Sequence, residues 1–236
     1  MQRYMTFAQR PDPNSLNERV AAVLDRSGTM GSGDYSPTRL RGAIDATRAL
    51  IDAKTRINPE DEVGIVAYSS EARVIHLPVP LATGAQRLKD SLEDLVSGGF
   101  TNITAGLQVA QAMLFGGDPN KAGRVGFLER LSQWLYLPET HPTLPKLAGG
   151  FSPRIILLTD GGHNVGAGPV PLAEALKAAG TIIDCIGIGG SPSDVDDLIK
   201  EVASKGPDGR PRYVFIRDTQ DLIRKFEQLA NRIRPA

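Results

Sequence analysis

Short apolar runs alternate along this chain with longer amphipathic ones, and that alternation more than anything else limits what it can fold into. The apolar runs fall at residues 19–25, 62–69, 72–78, 154–160, 181–189 and 212–217. Each is of strand length, and several are apolar without interruption, as strands buried on both faces must be. Between them, Thr38 to Ile57 sets Leu40, Ala43, Ile44, Thr47, Leu50, Ile51 and Lys54 at three- and four-residue steps, which predicts a long amphipathic helix. Further helices are predicted at 84–96, 104–115, 169–179, 192–204 and 219–233, the last capped by Asp218 or Thr219. Strands that alternate with helices make a parallel sheet with crossover helices on both faces. Only Ser70 and Glu71 separate the second run from the third, so that connection is a hairpin and the third strand an antiparallel edge. The expected architecture is α/β: a doubly wound, mostly parallel six-stranded sheet with one antiparallel edge strand.

The 236 residues suffice for one large domain with an extensive core. Residues 1–18 read as a polar N-terminal extension, and 116–153 as an insertion, because a connection that long is uncommon inside a compact α/β domain. The insertion carries Trp134 and Leu135, candidates for a local packing unit or a partner patch. It joins a helix that leaves the carboxyl ends of the strands to a strand that returns there. It is therefore expected at the opposite end of the sheet, about 17–20 Å away. Acidic and basic residues balance at 27 each, which gives no electrostatic pull toward nucleic acid. No segment approaches the roughly 18 apolar residues of a membrane span, and the N-terminus lacks a signal-peptide core, so the expected location is the cytoplasm. The single cysteine, Cys185, lies in an apolar run and reads as a small buried hydrophobe.

Chemistry is concentrated where three strands run out. Asp25-Arg26-Ser27-Gly28-Thr29 follows the apolar Val20-Ala21-Ala22-Val23-Leu24 and can aim one carboxylate and two hydroxyls at one point, the all-oxygen set that hard divalent cations take. A second oxygen cluster, Gly98-Gly99-Phe100-Thr101-Asn102-Ile103-Thr104, precedes the third helix, and a third, Thr159-Asp160-Gly161-Gly162, ends the fourth strand. In open doubly wound sheets ligands bind at the carboxyl ends of strands where the winding reverses. If the first and fourth strands are neighbours there, Asp25 and Asp160 converge. Thr104 reads as a helix cap, Arg26 as a solvated side chain, and His163, which has no nucleophile near it in sequence, as a surface loop residue. His76 and His141 have no ligand spacing.

These three clusters, in this order, resemble the von Willebrand factor type A (vWA) family, over roughly residues 19 to 233 apart from the insertion. The resemblance implies a vWA domain at 19–236 and a metal-ion-dependent adhesion site built from Asp25, Ser27, Thr29, Thr101 and Asp160. Thr29 stands where the family usually has serine, and its β-branch restricts χ1. Mg²⁺ is the implied ion, with Mn²⁺ or Ca²⁺ as alternatives. The implied function is metal-dependent capture of an Asp or Glu carboxylate on a protein partner, without catalysis, beside an ATPase or in a multi-component assembly. The first run also resembles the Asp-x-Asp-Gly-Thr run of haloacid-dehalogenase-type phosphatases, with Asp25 as nucleophile. Ser27 stands where that chemistry needs its general acid, and a serine cannot shuttle protons at neutral pH, which argues against the enzyme.

Overall fold

The computed structural model describes residues 17–34, 36–116, 150–189 and 196–231. Six strands, β1 (Glu18–Asp25), β2 (Glu62–Tyr68), β3 (Ala72–Pro80), β4 (Ser152–Thr159), β5 (Ile182–Ile188) and β6 (Tyr213–Ile216), form one sheet in the order β3-β2-β1-β4-β5-β6. All pairings are parallel except that of β2 with the edge strand β3. The helices are α1 (Arg39–Ile57), α2 (Leu81–Asp90), α3 (Ile103–Phe115), α4 (Val170–Ala178), α5 (Asp196–Val202) and α6 (Thr219–Leu229). The chain lays down β1, winds outward through β2 and β3, then crosses back and winds the other way from β4. The reversal therefore lies between β1 and β4, which pair from Glu18↔Ser152 to Leu24↔Leu158. That register sets the residue after Leu24, Asp25, beside the end of β4.

The strand periodicity divides the core into two layers. Val20 and Leu24 of β1 pack with Leu50 and Ile51 of α1 and with Leu222 and Phe226 of α6; Ala21 and Val23 pack with Leu107 and Leu114 of α3 and Leu176 of α4. Burying the α6 stripe of Leu222, Phe226 and Leu229 contributes about 5–9 kcal/mol before the cost of ordering it. Asp218 caps that helix, accepting the Asp221 N–H at 2.8 Å. Gly106 lets α3 lie against the sheet: a Cβ there would sit 3.0 Å from the Tyr68 ring and 3.1 Å from Val23. Cys185 is buried, and that burial raises its thiol pKa far above the ordinary value. No helix among the described residues is long and apolar enough to cross a membrane.

One expectation needs correction, and one residue of the α1 stripe has a role its spacing did not show. The helix expected at 84–96 instead starts at Leu81, directly after Pro80, and ends at Asp90, with a turn through 91–94. Pro80 stands at the N-cap, where its fixed φ and missing N–H are tolerated ahead of the first turn, and the apolar spacing alone did not reveal that start. Lys54, which fell on the periodic face of α1, is wholly buried in an ionic cluster at the amino ends of the strands. Its ammonium donates to Glu18 and Asp61 at 2.6 Å each. Arg154 of β4 donates to Asp184 at 2.8 Å and to the Leu229 carbonyl at 2.7 Å, and it also faces Glu18 at 3.4 Å. The cluster thus ties β1, β2, β4, β5 and the ends of α1 and α6 together. Of the segment 116–153, Trp134 and Leu135 lie outside the described residues. Gly116 ends α3, and Ser152, which opens β4, pairs with Glu18 at the amino end of β1.

Removing Lys54 leaves Glu18 and Asp61 facing each other without a cation. Lys54→Met is expected to destabilise the domain by about 3–5 kcal/mol in urea unfolding; a loss below about 1 kcal/mol would show that the cluster is not a tie of this strength.

Candidate metal centre

Asp25 is the last residue of β1 and is fully buried. Its Oδ1 accepts the Ser27 N–H at 2.7 Å, a local turn that folds the chain back over the strand end. Its Oδ2 accepts from Thr159 Oγ1 at 2.9 Å, and Tyr68 Oη lies 3.4 Å away. A 3-10 turn at Gly28–Gly31 follows, held by buried Met30. Above Asp25 the hydroxyls form a chain: Ser27 Oγ is 3.2 Å from Thr29 Oγ1, which donates to Asp160 Oδ1 at 2.8 Å. Two backbone hydrogen bonds lay the 98–99 loop across this run, Gly28 N–H to Gly99 O at 2.9 Å and Gly98 N–H to Arg26 O at 2.7 Å. Asn102 N–H to Ser69 O and Phe100 N–H to Ser70 Oγ fix the other side of that loop. Asn164 then clamps Thr101 from above β4, its side chain accepting the Thr101 N–H at 2.9 Å and its own N–H reaching Thr101 O at 3.0 Å.

The result is a cleft of about 470 Å³ lined by Ser27, Gly28, Thr29, Gly99, Phe100, Thr101, Gly161, Gly162 and Asn164. Three of the five residues singled out in the sequence, Ser27, Thr29 and Thr101, line it. The other two, Asp25 and Asp160, lie directly behind and bond to its walls. Among the described residues there is no group of three or more His, Cys, Asp or Glu side chains placed to hold a metal. The donor set is instead two carboxylates and three hydroxyls.

Electrostatics bear on both carboxylates. Burial pushes the Asp25 carboxyl from 3.8 up to about 6, against the pull of the Ser27 N–H, and the nearby charge of Asp160 adds to the rise. The Asp160 side chain has no exposure to solvent, yet its Oδ2 accepts from Nη1 of Arg39 at 2.8 Å. No local signal pointed to Arg39, 121 residues from Asp160 and outside every motif. Thr159, Asn164 and Tyr68 were likewise missed, though each sits next to a residue that was noticed or at a strand end.

Three neighbouring residues differ from expectation. Thr104 is not the cap of α3: that is Asn102, whose side chain accepts the Ala105 N–H at 3.0 Å, while Thr104 Oγ1 donates to the Ala167 carbonyl. An Asn one residue before the first turn outcompetes a Thr inside it for the orphan N–H groups. His163 is more than a loop residue, since its Nδ1 accepts the Ile103 N–H at 3.2 Å and its Nε2 faces Gly166 O at 3.3 Å, pinning the 161–166 loop to the start of α3. Arg26 is half-buried, with Nη1 reaching Val96 O at 3.4 Å, rather than solvated.

Residues 20–128 match the von Willebrand factor type A domain model. Superposition on solved structures covers nine-tenths of the chain. The von Willebrand factor type A protein from Catenulispora acidiphila superposes at TM-score 0.61 and 22% identity, covering 91% of this chain and 42% of that one. The chain has the vWA fold, and its residues 20–128 carry the family match. The SpRpn10 VWA domain superposes at TM-score 0.61 and 22% identity over 89% of this chain and 95% of its own. Proximal thread matrix protein 1 from the mussel byssus, in a form with a zinc-occupied MIDAS motif, superposes at TM-score 0.63 and 18% identity over 91% of this chain and 47% of that one. In sequence the vWA domain is 36% identical over 98 residues to the 26S proteasome non-ATPase regulatory subunit 4 homolog of Arabidopsis thaliana. It is 31% identical over 99 residues to subunit 4 of Caenorhabditis elegans. These matches take in 41% and 42% of this chain and only 25% and 28% of the relatives, so the chain spans about a quarter of their length.

The raised Asp25 pKa makes a signed prediction for the vWA domain in chelator. The folded state holds this proton more tightly than the unfolded chain, so the contribution of Asp25 to stability is best below pH 3.8 and is lost as pH rises through about 6. By pH 7 the loss reaches at most ~3 kcal/mol. Asp25→Asn keeps the Ser27 N–H bond, and the Thr159 hydroxyl can accept from the new amide while donating to Gly161 O, 2.9 Å away. The variant is therefore expected to unfold at higher urea than wild type at pH 7 and to lose the stability change between pH 4 and 6; a variant less stable than wild type at pH 7 would contradict the assigned cost of burial.

Proposed function

We propose that the vWA domain is a protein-binding module that takes a divalent cation at Asp25, Ser27, Thr29, Thr101 and Asp160 and uses it to hold a partner carboxylate. The observation that carries this reading is the hydroxyl chain from Ser27 through Thr29 to Asp160 at the edge of an open cleft, with Thr101 on the facing wall. Those donors fit a hard cation such as Mg²⁺, and Mn²⁺ or Ca²⁺ share its taste for oxygen. When bound, the ion supplies electrophilic charge at the cleft. Asp25 contributes charge from behind the wall while Thr159 and the Ser27 N–H hold it in place; Asn164 fixes the height of Thr101. Three of the five side chains are neutral, so the site stays attractive to an incoming carboxylate. Phe100, beside Thr101 and 66% exposed, offers that partner an apolar seat.

The relatives named as non-ATPase regulatory subunits of the 26S proteasome support placing the module in a multi-component assembly rather than giving it turnover. Asp25, fully buried with both oxygens accepting hydrogen bonds, lacks the access that a phosphatase nucleophile requires.

The site lies on the surface of a domain with its own core, so metal binding is expected to be weak and chelation to leave the domain folded. With ~1 mM Mg²⁺ and a dissociation constant of ~0.1–1 mM, linkage stabilises by about 0.4–1.4 kcal/mol, or about 1–5 °C in a melting experiment. Thr101→Ala is expected to remove that shift and, with it, any capture of a partner that is blocked by chelator. Unfolding on chelation at room temperature, or hydrolysis of p-nitrophenyl phosphate that is lost in Asp25→Asn, would overturn the reading.

A further inference from the structure

Arg39 is the first residue of α1, a position where a cation opposes the helix dipole, and the first turn holds no acidic side chain to offset it. Its guanidinium is held from three directions. Nε donates to Asp34 Oδ1 at 2.8 Å and Nη2 to Oδ2 of the same carboxylate, a forked pair. Nη1 donates to Oδ2 of Asp160 at 2.8 Å. Gly189, at φ +101 after β5, presses against the group so closely that a Cβ there would lie 2.6 Å from Cζ. The side chain is only 12% exposed, and that of Asp34, at 40%, reaches solvent.

We propose that Arg39 is an internal counter-ion that competes with the divalent cation for Asp160, and that Asp34 retains the guanidinium when the cation takes Asp160. The inference rests on the cation reading of the same site and adds what sets its affinity. Asp160 is buried and has one carboxylate charge to share. A guanidinium already bonded to it both offsets that charge and repels an arriving dication, and between side chains as buried as these the repulsion is weakly screened. The forked bond to Asp34 gives Arg39 a complete partner of its own, so Asp160 can turn to the ion without leaving a buried cation unpaired. The arrangement offsets the charge of Asp160 from within the fold and makes loading with a cation shift the bonding of Arg39.

Calorimetric titration of the whole chain with MnCl₂ tests this on wild type, Arg39→Gln, Arg39→Lys and Asp34→Asn, each checked for folding by circular dichroism. Arg39→Gln, which removes the competing charge, is expected to bind Mn²⁺ roughly 10- to 100-fold more tightly. Asp34→Asn, which leaves Asp160 as the only carboxylate on Arg39, is expected to bind several-fold more weakly. Arg39→Lys keeps the charge and is expected to stay within a few-fold of wild type. A merely structural Arg39 would make both the Gln and Asn variants weaker together. Equal or weaker binding by Arg39→Gln, with wild type still binding, would overturn the counter-ion and leave the cation site standing. Absence of binding in both wild type and Arg39→Gln would overturn the two together. Binding by Arg39→Gln alone would support the proposal in its strongest form. Should Arg39→Gln fail to fold, unchanged or tighter binding by Asp34→Asn would overturn the proposal.

Discussion

Two carboxylates shut off from water stand at the ends of neighbouring parallel strands, and the carboxyl-end face of this domain is arranged around the need to neutralise them. Their closeness follows from the strand order alone. Because β1 is laid down first and the winding reverses at β4, Asp25 and Asp160 come from strands far apart in sequence yet adjacent in the sheet. Repulsion between them raises the Asp25 carboxyl beyond what burial does. The surrounding donors answer it in different ways: a backbone N–H and a threonine hydroxyl for Asp25, a threonine hydroxyl and a guanidinium for Asp160.

The opposite end of the sheet solves a related problem with other means. There Lys54 and Arg154 are buried among Glu18, Asp61 and Asp184, so that each acidic group faces a basic side chain that the fold itself supplies. That cluster is buried and serves to tie strands to helices. At the carboxyl ends Arg39 plays such a part for Asp160, and the hydroxyls of Ser27, Thr29 and Thr101 are neutral, which leaves charge unmatched beside a cleft. The contrast between a buried ionic cluster and a partly compensated one beside a cleft distinguishes the end of the domain that ties its elements together from the end that carries the candidate site.

Most of the sheet was legible in the sequence because buried parallel strands leave continuous apolar runs, and all six expected strands occur within two residues of their bounds. The edge position of β3 followed from the two-residue gap at Ser70 and Glu71. Helix ends were less legible where capping decided them: Pro80 started α2 three residues early, and Asn102 rather than Thr104 capped α3. The candidate residues Asp25, Ser27, Thr29, Thr101 and Asp160, which the structure brings together, could be singled out because they lie at strand ends or in the loop before α3, in recognisable runs. Arg39 could not. It is a lone arginine at a helix start, and its meaning comes only from Asp160, brought to it by the crossover from β3 to β4. Lys54 was hidden for the opposite reason: its spacing marked it as buried, but nothing local named the carboxylates that would meet it.

The most direct test of a cation site at the β1–β4 reversal is anomalous diffraction from crystals of the domain grown with Mn²⁺. A manganese peak is expected in the cleft between Ser27, Thr29 and Thr101, with oxygen ligands at about 2.1 Å. A peak bound elsewhere, or no peak at saturating manganese with Asp160 still bonded to Thr29 and Arg39, would contradict it.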